Sequence, residues 1–244
     1  MIPSMWPKGN HYQSYMNPQT FHPFFQLPVP KQRLFTFKVI CFLLGYLLVV
    51  SSLIFVMYNF VHSAGLLLTL LLPLGFTLAA QFIDVPSMIK SGKLEYQSPM
   101  LLTETPRKGI MILHGATLFD YYFLLDRQQS GRERTRYVLK GYLEGLLKLL
   151  DQLETEGRTE IMLKGTSYFL QARTVERFGF RVSKRADGLQ TLILLLNYAQ
   201  LTVAHYLANG RLSFPDLRKV RTFEAKAEDL LVHRSRIRQF YDRL

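Results

Sequence analysis

The sequence predicts an α/β domain in the cytosol, attached to a hairpin of two transmembrane helices. Three observations support this fold class: no charged residue lies between Lys38 and Asp84, all 18 acidic residues lie at or after Asp84, and short apolar segments alternate with helical patterns after Pro86. Strands that alternate with helices indicate a sheet flanked by helices, and a hairpin near the start of the domain predicts a mixed sheet.

Residues 1–33 form an amino-terminal tail that holds six of the eleven prolines. A segment of this composition cannot build a core of its own, so we predict that it is extended or is ordered by a partner. Its aromatic side chains either dock on a neighbouring subunit or the membrane interface, or they belong to a solvated leader, and both interpretations stay open. These aromatic residues are Trp6, Tyr12, Tyr15, Phe21, Phe24 and Phe25.

Residues 34–84 form the predicted transmembrane hairpin, with spans at 39–58 and 65–83. The spans contain 20 and 19 residues, and about 20 apolar residues of helix cross a bilayer core. Lys and Arg flank both spans but are absent from the turn at 59–64, which predicts that both termini lie in the cytoplasm. We therefore expect an integral, multi-pass protein of a bacterial inner membrane. The spans hold no Asp, Glu, Lys or Arg, so they are interpreted as a passive anchor.

The charge of the remaining chain indicates its partners. Residues 85–244 carry 26 Lys and Arg against 17 Asp and Glu, which gives a net charge of +9. A basic domain beside a bilayer complements anionic lipid head groups, and each surface cation contributes about 1 kcal/mol to the binding free energy. Nucleic acid is the rival partner for a basic surface. Lipid is favoured over nucleic acid because the anchor keeps the bilayer always within reach.

Residues 85–210 form the predicted α/β domain, and local patterns define its elements. Two short strands joined by a hairpin turn begin it, and Pro99 places part of the first strand at a sheet edge. A long helix ended by Gly157 follows, and then a strand, a short helix and another strand. The predicted strands lie at 93–103, 109–113, 159–163 and from 180 onward, and the predicted helices at 134–156 and 171–178.

Two further segments are predicted to be helical. The apolar segment 189–207, ended by Asn209 and Gly210, is interpreted as a buried or interface-lying helix, because a third crossing would export the Arg-rich carboxyl terminus. Residues 211–244 are predicted to form a basic helix that begins at Ser213. Its apolar positions form a seam for its own domain or for a partner helix; they are Val220, Phe223, Ala227, Leu230, Ile237, Tyr241 and Leu244.

The first candidate site consists of His114 and Asp120. His114 ends a predicted strand, and Asp120 lies six positions later at the start of a helix. A carboxylate near a histidine can orient the imidazole as a general base, which makes the pair a candidate for catalysis. The alternative is structural: Asp120 caps the helix and His114 is an ordinary loop residue.

The second candidate site lies where the long helix begins. Gln128 and Gly131 lie in the loop before it, Arg132 and Arg134 could add positive charge, and the short helix ends with glycine and phenylalanine at 179–180. With this order of elements, residues 93–183 resemble the Gcn5-related N-acetyltransferase (GNAT) family. The resemblance implies a GNAT-like fold in which loop N–H groups bind the pyrophosphate of a coenzyme A thioester, since the amino end of a helix favours phosphate.

Two positions depart from the pattern of that family. Glu133 replaces the second glycine of the loop, and Val175 replaces the tyrosine that commonly acts as general acid. After Phe180 the family continues with two strands, whereas this chain continues into the apolar segment 189–207. A carboxylate at position 133 would repel a pyrophosphate, so these departures favour a related fold over a working transferase.

The sequence therefore favours a non-catalytic subunit or scaffold of a membrane assembly. Its protein partners would contact the tail and the carboxyl-terminal helix. The alternative is an acyl-CoA-dependent acyltransferase tethered to the membrane, and only this alternative calls for a cofactor. Cys41 is the single cysteine and the six histidines are scattered, so no metal centre is predicted. Whether the protein is an enzyme stays open.

Overall fold

A computed structural model describes residues 17–61, 68–69, 71–167, 172–182, 195–216 and 220–244. The helices are α1 (Pro18–Phe21), α2 (Pro23–Gln26), α3 (Val29–Phe60), α4 (Leu71–Lys90), α5 (Leu118–Leu124), α6 (Gly131–Thr155), α7 (Ala172–Arg177), α8 (Tyr198–Asn209), α9 (Ala227–Val232) and α10 (Arg234–Asp242). The strands are β1 (Leu94–Ser98), β2 (Leu101–Glu104), β3 (Ile110–Gly115), β4 (Met162–Ser167), β5 (Arg181–Val182) and β6 (Arg221–Lys226).

The six strands form one mixed sheet in the order β1-β2-β3-β4-β6-β5. Strands β1, β2 and β3 are antiparallel neighbours, β3 and β4 are parallel, and β6 is antiparallel to both β4 and β5. The long helix α6 connects the parallel strands, as such a crossover requires. The predicted mixed sheet flanked by helices is therefore confirmed.

Helix α6 supplies six leucines to the core that packs against this sheet. Ser130 caps its amino end, and the Glu133 carboxylate accepts a hydrogen bond from the backbone of Ser130, which forms a capping box. The leucines at helical spacing on one face form one core cluster with Leu101 of β2, Leu113 of β3 and Leu163 of β4. The fully or almost fully buried ones are Leu143, Leu146, Leu147, Leu149, Leu150 and Leu153.

The first predicted strand is two strands in the structure. Pro99 and Met100 form a turn between β1 and β2, because proline lacks the N–H group that a continuous strand would use in its ladder. Ser98 holds this turn: its hydroxyl accepts a hydrogen bond from Met100 N at 3.2 Å and donates one to the carbonyl of Gly141 in α6 at 2.6 Å. The turn therefore fixes the sheet edge against α6.

The predicted helix over residues 211–244 is wrong in its first half. Residues 212–216 form no regular element, so Ser213 caps no helix there, and Arg221–Lys226 is strand β6. Every residue of β6 pairs with β4, from Ser167 opposite Arg221 to Met162 opposite Lys226. The second half is helical as α9 and α10, and its apolar residues complete the domain core rather than a separate seam. The predicted boundary at 210 therefore cuts through one domain.

Helices α3 and α4 are long and apolar enough to cross a membrane. They overlap the predicted spans 39–58 and 65–83, of which residues 65–67 and 70 lie outside the described part. The two helices pack closely where the Tyr46 ring occupies the space that a side chain at Gly75 would need. The Tyr46 hydroxyl also donates a hydrogen bond to the carbonyl of Leu71 at 2.6 Å. These contacts join the two helices as a hairpin.

The described part of the tail is folded onto the domain. Prolines start the one-turn helices α1 and α2, and Phe24 and Phe25 are buried beside Phe119 of α5. The expectation of an extended or partner-ordered tail is therefore wrong for residues 17–28, since their aromatic groups find a partner surface within the same chain. Trp6, Tyr12 and Tyr15 lie outside the described residues.

Candidate functional site

A large cavity lies where the second apolar helix meets the domain. It has a volume of about 620 Å³ and is bounded by α4, the sheet strands β2 to β4, α6 and α8. Gln81 of α4 accepts a hydrogen bond from the backbone N–H of Leu118 at 2.7 Å, which fixes α4 beside the first turn of α5. Pockets of about 300–1,000 Å³ hold small molecules, so the cavity is a candidate ligand site.

The strand arrangement creates this cavity. The parallel ladder between β3 and β4 ends where Leu113 lies opposite Gly165. Beyond this position β3 and β4 no longer pair with each other, whereas His114 stays paired with Leu102 of β2 and Thr166 with Thr222 of β6. The carboxyl ends of the two parallel strands therefore separate, and residues from both ends line the cavity.

His114 is a cavity residue, and its carboxylate partner is Glu104. Their Nε2 and Oε1 atoms lie 2.8 Å apart, with 41% and 34% of the two side chains exposed. Because a carboxylate only accepts hydrogen bonds, Nε2 carries the proton and a neutral ring keeps Nδ1 as an acceptor. The pair thus has the arrangement of a general base and the carboxylate that orients it. That carboxylate belongs to Glu104, whereas the sequence predicted Asp120.

Asp120 does not pair with His114. As in the structural alternative it takes part in capping α5, where Thr117 is the N-cap residue and Asp120 completes the capping box. Its carboxylate accepts hydrogen bonds from the backbone N–H and the hydroxyl of Thr117, both at 2.7 Å, and from the hydroxyl of Tyr96. His22 Nε2 lies 3.5 Å from the same carboxylate, longer than an ordinary hydrogen bond. Asp120 and His22 are both fully buried, so this group supports the fold.

We call the network of Asp120, Tyr96 and His22 the buried polar triad. Burial and then the charge of Asp120 raise the pKa of Tyr96, so its phenol stays a donor. His22 Nδ1 accepts a hydrogen bond from Phe24 N at 3.3 Å, and its ring stacks on Phe119 with centroids 4.8 Å apart. The triad has no signature in the sequence, because its members come from the tail, β1 and α5 and no local pattern connects them.

The amino end of α6 is closed by the protein itself. The Ser130 hydroxyl accepts from Glu133 N, and the Glu133 carboxylate accepts from Ser130 N at 2.8 Å. Hydrogen bonds from Ser130 lower the pKa of Glu133, so a full negative charge lies at this helix end. Of the predicted phosphate-binding residues, Gln128 and Arg132 are exposed beside it.

The carboxyl end of α8 packs directly on the amino end of α6. A Cβ at Gly131 would overlap the carbonyl oxygen of Asn209, and Arg134 is buried against Gly210. The hydroxyl of Thr135 donates to the Asn209 side chain at 2.8 Å, and Gly210 ends α8 with a φ of 70°. Arg134 therefore faces the negative end of α8, and the residues at this helix end do not fit a pyrophosphate.

Comparisons with models of protein families, with curated proteins and with solved structures find no match to this chain. Within the described ranges, no group of three or more His, Cys, Asp and Glu side chains could hold a metal ion. The cavity, the closed end of α6 and the exposed surface are therefore the features that bear on function.

Proposed function

We propose that the protein is a non-catalytic, membrane-anchored subunit whose α/β domain binds a protein partner at the membrane surface. The observation that carries this proposal is a set of exposed apolar side chains in α8 and in the residues next to its two ends, called the α8 patch. Five side chains form it, with exposed fractions between 48% and 71%. They are Leu195, Leu196, Tyr206, Leu212 and Phe214.

The position of the α8 patch supports an interaction role. Phe214 stacks on Tyr198 with ring centroids 6.4 Å apart, so the segment after Gly210 returns along α8 and extends one surface. Large exposed apolar patches on soluble domains mark protein or membrane contacts. Since α8 also packs against α4, a partner on this patch would lie close to the bilayer.

The closed amino end of α6 supports the non-catalytic part of the proposal. Two of the backbone N–H groups that could bind a coenzyme A pyrophosphate at this helix end, those of Ser130 and Glu133, are already paired within the capping box. The pyrophosphate would also approach the Glu133 carboxylate and displace Asn209 from Gly131. Repulsion between like charges and the loss of helix packing both oppose that binding.

Native extraction tests the partner. We expect the full chain, extracted with its surrounding lipid, to form a discrete complex larger than its own 28.4 kDa. The double variant Leu212→Ser, Phe214→Ser should reduce that mass to the chain alone. Val232→Ser is the matched control, because Val232 is 79% exposed outside the α8 patch. A wild-type chain that runs alone, or a complex unchanged in the double variant, would contradict the proposal.

We further infer that both termini face the cytoplasm, because cations flank both apolar helices and the turn between them has none. Single-cysteine labelling tests this topology in a Cys41→Ser background. In bacterial spheroplasts, an impermeant maleimide should label Asn59→Cys at the end of α3 at once. It should label Gln129→Cys in the domain only after lysis. Equal labelling of both before lysis, or the reverse order, would exclude the topology.

An acyl-CoA-dependent acyltransferase is the second candidate function. One observation favours it: the parallel strands β3 and β4 separate at the cavity, beside the His114–Glu104 pair. The GNAT resemblance implies an acyl-CoA site near such a sheet and helix α6. Because the end of α6 does not fit the pyrophosphate, a transferase would have to hold its coenzyme A in another way, and this requirement ranks it second.

Calorimetry with coenzyme A separates the two functions. We expect the wild-type chain not to bind coenzyme A at concentrations up to about 1 mM. This result would correspond to a binding free energy weaker than about −4 kcal/mol. Glu133→Gln removes the charge and keeps the capping hydrogen bonds, yet Asn209 still covers Gly131. This variant should also fail to bind. Micromolar binding by the wild type would overturn the non-catalytic proposal and favour the transferase.

A further inference from the structure

The cavity beside α4 has an unusual charge for this protein. Asp84 and Glu104 line it, and the lining contains no Lys or Arg among the residues that the structure describes. The whole chain, by contrast, carries a net charge of +12. The described part of the lining is therefore negative within a basic protein, and it disfavours the anionic ligands that the overall charge would attract.

The histidines that line the cavity do not make the charge of its lining positive. His205 Nε2 lies 2.8 Å from the side-chain nitrogen of Asn209, whose oxygen accepts from Thr135. The Asn209 amide thus donates to Nε2, so that nitrogen carries no proton and the ring is neutral. Burial also lowers the pKa of His205. His114 can at most neutralise Glu104, which leaves Asp84 as net negative charge in the described part of the lining.

The apolar part of the lining places the cavity at the membrane surface. Phe76 and Ala80 of α4 lie within the predicted span, and Met88 lies one turn beyond Asp84 on the same helix. Leu102 and Val138 extend the apolar wall on the domain side. An occupant would therefore place an apolar chain against these side chains and a charged end near the carboxylates.

We propose that this cavity binds an amphipathic cation, an apolar chain that ends in a protonated amine. Asp84 and Glu104 would face the ammonium group, and the wall formed by α4 would cover the chain. The position of the cavity allows such a ligand to enter from the bilayer interface. The inference is independent of the α8 patch, because none of the five patch residues lines the cavity.

Three probes with one chain length test the proposal. The full chain in nanodiscs of zwitterionic lipid is titrated with octylamine, octanol and octanoate at pH 7, and heats from empty nanodiscs are subtracted. We expect octylamine to bind at least about tenfold more tightly than octanoate, because the two carboxylates attract one charge and repel the other. Octanol should lie between them.

Charge removal gives the decisive comparison. The double variant Asp84→Asn, Glu104→Gln keeps size and hydrogen bonding and should weaken octylamine binding by about tenfold or more, while octanol changes by less than about twofold. Glu228→Gln is the control, since this carboxylate pairs with Lys226 outside the cavity. Tighter or equal binding of octanoate, no binding of any probe, or undiminished octylamine binding in the double variant would overturn the proposal.

Discussion

Asp120→Ala is expected to lower the free energy of unfolding by about 3–5 kcal/mol. The Asp120 carboxylate is fully buried and accepts hydrogen bonds from Tyr96 and from the backbone and hydroxyl of Thr117. Alanine would leave the Tyr96 phenol and the Thr117 N–H without an acceptor inside the domain. The capping box of α5 would be lost in the same step. Equilibrium unfolding of the full chain in detergent measures the change.

Two variants separate the buried polar triad from ordinary capping. Asp120→Asn keeps an acceptor oxygen and should cost about 1–2 kcal/mol. Asp229→Ala removes an exposed carboxylate from the first turn of α9, and it should cost less than about 1 kcal/mol. If Asp120→Ala destabilises the chain no more than Asp229→Ala, the triad does not support the fold.

Local sequence patterns predicted the elements that depend on local interactions. The uncharged stretch after Lys38 predicted two apolar helices, and both are present. The leucine spacing and Gly157 predicted α6, which the structure extends by one turn because Ser130 caps it ahead of the predicted start at Arg134. In each case the spacing of the apolar residues, or the residue that ends the helix, can be read from the element itself.

Strand β6 shows where such patterns fail. Val220, Phe223, Ala227 and Leu230 recur at steps of three and four, which fits one helix. The same residues also fit a strand followed by a helix, and only the pairing of β6 with β4 decides between them. That pairing joins positions about 60 residues apart, so no local window contains it.

The sequence identified only one of the two residues of the candidate pair. His114 was identified, but its carboxylate was sought in Asp120 rather than in Glu104. The antiparallel register places Leu102 opposite His114, so Glu104, two residues further along β2, is a diagonal neighbour on the same face. The predicted hairpin turn at 104–109 contained this information, because the turn sets which residues lie opposite one another.

Phe24→Ala is expected to destabilise the chain by about 3–5 kcal/mol, as in a protein core, although Phe24 lies in a segment whose composition predicts no core. Its side chain is 1% exposed. The ring contacts Phe119, Phe35 and Phe123 at centroid distances of 5.2–5.6 Å. Truncation would therefore leave a cavity between the tail, the first apolar helix and α5. Equilibrium unfolding of the full chain measures the loss.

Phe37→Ala is the matched control, since Phe37 lies two residues after Phe35 but is 62% exposed; it should cost less than about 1 kcal/mol. The comparison separates two roles for the tail aromatics. If Phe24 docked on another subunit, its truncation would weaken assembly and leave the stability of the isolated chain close to that of Phe37→Ala. A large loss in the isolated chain instead requires that the tail stabilises its own domain, because no partner is then present to be lost.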